Sequence, residues 1–165
     1  AFGGALALAY HAEPRATIVI DLNGFVPPEE ANHVLARLEA LGIEIGDAAS
    51  RIASAGQARV MWGRTPVDLF FANDPFHTAA DRAAIEVPFG EAVIRVLAAE
   101  HLGVCKVVFD RPKDWVDIDA MLAIGTHLDA AEVLRWVGRI AGDDDPRYDR
   151  IAAVLATPNR GASTD

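Results

Sequence analysis

The sequence is poor in cysteine and has no long hydrophobic run. It contains one cysteine, Cys105, so no disulfide can form within the chain, and one thiol with five scattered histidines gives no zinc-ligand spacing. Charged or polar residues interrupt the hydrophobic stretches well before the ~18 residues that a membrane-spanning helix needs. These absences argue against a disulfide-stabilised secreted domain and against a transmembrane protein, and we expect a cytoplasmic location.

Lysine is also scarce, and acidic residues outnumber basic ones. The formal charge of −9 argues against general electrostatic adhesion to nucleic acid or anionic membrane, while leaving room for a local basic groove. Among the 15 basic residues, only Lys106 and Lys113 are lysines, which draws attention to the segment that holds both. The chain opens without methionine and without a signal-like segment, so we expect that its true beginning is missing.

The pattern of the first half predicts strands separated by helices. A β-branched run within residues 17–22 predicts a buried strand. Residues 58–62 and 66–72 predict two further strands, joined as a hairpin through Gly63-Arg64-Thr65. We therefore expect an α+β (mixed α/β) fold with a small mixed sheet covered by helices and a helical C-terminal part.

The predicted helices have apolar residues at a spacing of 3.6 residues. They cover residues 5–10, 31–41, 91–109, 113–122, 130–140 and 145–156. Gly42 and Gly142 follow two of these helices, and Pro112 breaks the pattern between two others. We expect a single domain over residues 1–157, with a sheet-containing part at about 1–90, a helical part at about 91–157, and a flexible tail at 158–165.

Three features occur in an order that is typical of one enzyme fold. They are the pair Gly3-Gly4, the segment Arg15-Ala16-Thr17-Ile18-Val19-Ile20-Asp21, and Asp68 on a later strand. A fourth segment runs from Lys106 through Asp110-Arg111-Pro112-Lys113-Asp114 to Asp117. Over roughly residues 1–125, this order resembles the minimal nucleotidyltransferase fold of the DNA polymerase β superfamily. It is most similar to the AbiEii-type nucleotidyltransferases, the toxin halves of bacterial toxin–antitoxin pairs.

The resemblance implies transfer of NMP from a nucleoside triphosphate to a hydroxyl of a macromolecule, with tRNA as an expected acceptor and an antitoxin protein as an expected partner. It implies that Asp21 and Asp68 hold Mg²⁺ (or Mn²⁺), since paired carboxylates hold the cations that neutralise a triphosphate. Lys106 and Asp117 complete the implied catalytic set. The implied nucleotide-binding residues are Gly3, Gly4, Arg15, Thr17, Lys106 and Asp114. In this set the Gly-Gly turn approaches the phosphates and Lys106 contacts them.

The sequence departs from this pattern at one position. Val19 stands where the first metal-binding aspartate is expected, and a valine cannot ligate a cation. A shifted register would instead pair Asp21 with Asn23, but it breaks the match at Arg15 and Thr17. The alternative function is therefore a catalytically impaired nucleotidyltransferase-like binding module.

Several candidate residues also have a purely structural interpretation. Asp21, at the end of an apolar strand, could be a turn-capping aspartate. Alternation along the strand would place Val67 and Leu69 inward and Asp68 outward. Lys106 lies near the edge of an apolar helix stripe, where a lysine reaches solvent by extending its chain. Asp114 and Asp117 fall near a helix start, where acidic residues favour the positive end of the helix dipole.

Overall fold

The computed structural model describes residues 1–157, and the expected tail at 158–165 lies outside them. The described chain forms two compact units, each held together by its own internal contacts. Among the described residues, the first unit comprises residues 1–7 and 15–97, and the second comprises residues 8–14 and 98–157. The described residues form eight α-helices and five strands, which confirms the predicted α+β class.

A three-stranded mixed sheet forms the centre of the first unit. Its strands are β1 (Ile20–Gly24), β2 (Gln57–Trp62) and β3 (Thr65–Phe71), in the order β1-β3-β2. β1 runs parallel to β3, and β2 runs antiparallel to it. The predicted hairpin is confirmed, because only Gly63 and Arg64 separate β2 from β3 and Gly63 has the positive φ of 58° that such a tight turn requires.

The prediction of a buried strand over residues 17–22 is wrong at its beginning. β1 starts only at Ile20, and Ile18 is 79% exposed. The hydroxyl of Thr17 accepts a hydrogen bond from the Val19 amide at 3.1 Å, which holds the chain in a local turn before the strand. The β-propensity of the Thr-Ile-Val run therefore does not extend β1 to Thr17.

A second hairpin, of β4 (Ile85–Phe89) and β5 (Ala92–Val96), contradicts the predicted long helix from Glu91. The turn at Gly90 and the β-branched residues of β5 form the hairpin, and the helix begins only at Ala99. The backbone of Phe2 joins this hairpin to the larger sheet, because Phe2 bridges Leu22 on one side and Val96 on the other.

Two helices of the first unit, α2 (Ala31–Ala40) and α3 (Ala48–Ala55), pack against one face of the three-stranded sheet, preceded by a short 3₁₀ turn at Pro28–Glu30. The unit also contains α4 (Pro75–Ala83), and α1 (Gly4–Leu8) begins near the start of the chain. The core between α2, α3 and the sheet is made of fully buried aliphatic and aromatic side chains: Leu35, Ile43, Ile52, Val60, Val67, Leu69 and Phe71. The polar residues of the strands therefore lie on the other face of the sheet.

The second unit is helical. It contains α5 (Ala99–Phe109), α6 (Pro112–Ala123), α7 (Ala130–Ala141) and α8 (Pro146–Ala156). The last three are close to the predicted spans, whereas α5 lacks the predicted residues 91–98. Pro112 is the first residue of α6, and the side chains of Asp129 and Asp145 cap α7 and α8. Within residues 1–157, no helix combines the length and the apolar character needed to cross a bilayer.

Candidate functional site

Asp21 and Asp68 are direct neighbours in the sheet. They are register partners on the parallel strands β1 and β3, which places their Cα atoms on adjacent strands about 4.8 Å apart. Paired residues of adjacent strands project from the same face. Because Val67, Leu69 and Phe71 point into the core, the two carboxylates lie on the opposite face. The outward alternative for Asp68 is therefore correct, and the two aspartates are side by side.

The two glycines at the start of the chain lie against β1. The Gly3 amide donates to the Asp21 carbonyl at 2.8 Å, and Gly4 begins α1 with a φ of 51°. A Cβ atom on Gly4 would overlap the Asp21 carboxylate, and one on Gly3 would press against the Asn23 amide. Any side chain at Gly4 would thus displace the carboxylate of Asp21 as well as strain the backbone.

Arg59 completes this face of the sheet, and the sequence-based prediction missed it. It is the antiparallel register partner of Asp68, so that Asp21, Asp68 and Arg59 form one row across three strands. Its Nε and Nη2 donate to the two oxygens of Asp68 at 2.6 and 2.7 Å. These bonds, the charge of Asp68 and, to a lesser degree, the charge of Asp21 raise the pKa of Arg59. The row is therefore two carboxylates with one permanent cation.

A signal for Arg59 was present in the sequence. A two-residue turn at Gly63-Arg64 pairs Trp62 with Thr65, and counting back along the hairpin pairs Arg59 with Asp68. The alternation of β2, with buried Ala58 and Val60, also assigns Arg59 to the face opposite the core. Counting residue pairs along the β2–β3 hairpin would therefore have predicted that Arg59 lies beside Asp68.

Other predicted residues of the first unit lie around the start of β1. Arg15 and Thr17 are exposed and belong to no strand or helix, and Val19 directly precedes β1 and is half-buried. The side chain of Asn23, the ligand of the shifted register, donates to the Ala1 carbonyl at 3.5 Å. Thr17 thus shapes the turn into the strand, and Asn23 contacts the segment that precedes α1.

The side chains of this face do not fit a two-cation centre. Such a centre needs a carboxylate that bridges both ions, and Val19 stands at that position. Asp68 is already held at both oxygens by Arg59. Among residues 1–157, no group of three or more histidine, cysteine, aspartate and glutamate side chains is arranged to hold a metal ion.

The predicted residues of the second unit form a buried ion pair between two helices. Lys106 of α5 donates to Asp117 of α6 at 2.6 Å, and their side chains are only 5% and 2% exposed. The interpretation of Lys106 as a solvent-reaching lysine is therefore wrong. This ion pair, which has little access to water, joins α5 to α6.

Asp114 forms the start of α6. Its carboxylate accepts from the Arg111 amide at 3.1 Å and from the Arg111 guanidinium at 2.6 and 3.0 Å. Asp114 is buried, so these bonds satisfy a carboxylate that would otherwise be desolvated without compensation. The helix-start interpretation of Asp114 is supported by this capping box.

Trp115 adds two contacts to the segment between Lys106 and Asp117. The indole of Trp115 donates to Asp110 at 2.6 Å, and the guanidinium of Arg150 lies 3.7 Å from the centre of the Trp115 ring. Asp110 adopts a left-handed conformation with a φ of 53° at the end of α5. Asp110 and Trp115 are therefore held at the junction of α5 and α6.

Known proteins give no further assignment: no family model matches the chain, and no curated protein matches it.

Proposed function

We propose that the chain is a nucleotidyltransferase-like protein that transfers NMP from a nucleoside triphosphate to a hydroxyl of a macromolecule. The resemblance makes tRNA the expected acceptor and the toxin half of a bacterial toxin–antitoxin pair the expected setting. Its nucleotide site is the face of the sheet that carries Asp21 and Asp68, next to Gly3 and Gly4.

The parallel register of Asp21 with Asp68 is the observation that carries this proposal. The two carboxylates lie side by side on one face of the sheet, and Arg59 offsets their mutual repulsion at Asp68. A carboxylate on such a face can accept a hydrogen bond from an acceptor hydroxyl and take its proton. The hydroxyl oxygen then attacks the α-phosphorus, the bond to pyrophosphate breaks, and pyrophosphate leaves.

Incubation of the protein with each labelled nucleoside triphosphate and total tRNA tests the proposal. We expect label to enter the RNA with one nucleotide, and to be lost in Asp21→Asn and Asp68→Asn. Asp47→Asn is the matched control, because Asp47 is an exposed aspartate of the same unit that pairs with Arg51. Absence of label with every nucleotide, or equal labelling by all three variants, would contradict the proposal.

The second candidate is a catalytically impaired module that binds nucleotide without efficient transfer. Val19 and the engagement of Asp68 by Arg59 favour it, since both leave the face short of cation ligands. The Mg²⁺ (or Mn²⁺) requirement and the role of Lys106 toward phosphates remain predictions of the resemblance under either candidate.

Val19→Asp separates the two candidates. It adds a carboxylate directly before β1, where repulsion from Asp21 is relieved only by a cation. If the protein is an impaired module, the variant should lose thermal stability in chelator, regain it in Mg²⁺, and gain transfer activity. Ile18→Asp is the control, because Ile18 is the exposed neighbouring residue. Robust wild-type transfer with no gain in Val19→Asp would establish the active enzyme.

A further inference from the structure

We infer that Arg59 takes the place of a divalent cation at the Asp21–Asp68 pair. A divalent cation therefore binds to these carboxylates only if it displaces the Arg59 side chain. This inference deepens the proposed function, since it concerns the same carboxylates. It makes Arg59 the residue that sets how strongly the site depends on a metal ion.

The geometry of the ion pair is the first argument. The fork of Arg59 donates to both oxygens of Asp68, at 2.6 and 2.7 Å. A bidentate guanidinium uses the lone pairs with which a carboxylate binds Mg²⁺ or Mn²⁺ at ~2.0 to 2.2 Å. One carboxylate cannot serve both in this arrangement, so the two cations compete for Asp68.

The charge of the row is the second argument. Asp21, Asp68 and Arg59 are consecutive partners across β1, β3 and β2. A guanidinium remains protonated at every physiological pH, so a change in pH within that range does not release Asp68. While it is bound, Arg59 therefore halves the negative charge of the row at every physiological pH and weakens the attraction of the row for a second cation.

The position of Arg59 on the sheet is the third argument. Arg59 lies on β2, at the edge of the three-stranded sheet, and its side chain is 57% exposed while that of Asp68 is 21% exposed. An exposed arginine gains little from an ion pair, so a competing ligand can displace it without unfolding the sheet. The Arg59–Asp68 ion pair is thus weak enough for a divalent cation to break it, and strong enough to lower the affinity of that cation for Asp68.

A calorimetric titration of the full chain with Mn²⁺, in the absence of nucleotide, tests the inference. Arg59→Gln should bind Mn²⁺ about fivefold more tightly than the wild type, which corresponds to ~1 kcal/mol for a released surface pair. Arg64→Gln is the matched control, because it removes the same charge from the turn of the same hairpin. It should leave Mn²⁺ affinity within about twofold of the wild type.

Two further variants keep the result interpretable. Arg59→Lys retains the charge without the fork and should show a smaller gain, which provides a readout if Arg59→Gln does not fold. Adding Asp68→Asn to Arg59→Gln should abolish the gain. The inference is overturned if Arg59→Gln and the wild type bind Mn²⁺ equally, if neither binds it, or if Arg64→Gln gains as much. Because the titration uses no nucleotide, its result can be interpreted even if the protein shows no transfer activity.

Discussion

The two units each contain an ion pair between a basic residue and a predicted site aspartate, but the two pairs differ in access to water. Arg59 and Asp68 lie on an open sheet face, with side chains 57% and 21% exposed, whereas Lys106 and Asp117 are 5% and 2% exposed between α5 and α6. Exposed pairs contribute about 0.2 to 1 kcal/mol, and removal of one partner from a buried pair destabilises by about 3 to 5 kcal/mol.

The difference determines what a mutation can reveal. A change at Arg59 or Asp68 leaves the fold nearly intact, so a change in binding there reports on the site. A change at Lys106 or Asp117 removes a contact that holds two helices together, and loss of activity in such a variant is no proof of catalysis. Stability measurements are therefore the way to sharpen the comparison.

The largest effect is expected for Lys106→Met. This variant keeps the shape of the side chain but leaves Asp117 buried without its cation, and it should lower the free energy of unfolding by about 3 to 5 kcal/mol. Urea denaturation followed by circular dichroism measures the loss. Lys113→Met, at the exposed lysine of α6, is the control and should change stability by less than about 0.5 kcal/mol.

A double variant checks the cause of that loss. Lys106→Met combined with Asp117→Asn removes both charges, so it should be less destabilised than the sum of the two single variants. Strict additivity would show that the two residues stabilise the unit independently.

The next effect in size is expected for Asp114→Ala. The substitution removes the acceptor for the Arg111 amide and guanidinium at the start of α6, and loss of a helix cap destabilises by about 1 to 2 kcal/mol. Asp119→Ala, at an exposed position of the same helix, is the control. Equal unfolding midpoints for the two variants would argue against the capping role.

Smaller changes are expected on the sheet face. Arg59→Gln and Asp68→Asn should each lower the free energy of unfolding by about 0.2 to 1 kcal/mol, because the pair is partly solvated and salt screens it. The loss should shrink further in 1 M salt. A loss above about 3 kcal/mol in either variant would place this pair in the same class as Lys106 and Asp117, and the comparison between the units would fail.

The sequence predicted the fold best where local signals agree. The hairpin of β2 and β3 and the ends of α2 and α7, next to Gly42 and Gly142, were found because turn residues and helix-ending glycines act on their immediate neighbours. The second hairpin was missed because apolar residues of β5 also fit a helical stripe that continues into α5. Periodicity alone cannot separate a strand that leads directly into a helix from a longer helix.

The candidate site was predicted in part for a similar reason. Asp21 and Asp68 were identified from their positions in strands, and the structure makes them neighbours. Arg59 was missed because its role depends on the register of two strands rather than on its own surroundings. The depth of Lys106 was also missed, since only helix packing shows that its charge is paired inside the unit.

A local pair in the second unit gives the smallest and most specific expectation. Hydrogen bonds from the Arg147 side chain and backbone lower the pKa of Asp145 to about 2, from 3.8. A carboxyl whose pKa falls on folding stabilises the protein above its unfolded pKa, and this stabilisation is lost as the pH decreases toward the folded value.

Asp145→Asn keeps an oxygen that can cap α8 but removes the charge. The difference in unfolding free energy between wild type and variant should therefore be constant at neutral pH, begin to decrease as the pH approaches 3.8, and vanish only below the folded pKa of about 2. Asp149→Asn, in the first turn of the same helix, controls for loss of a negative charge. Chemical denaturation across this pH range measures the difference, and one that grows as the pH falls would show that Arg147 does not stabilise the ionised form of Asp145.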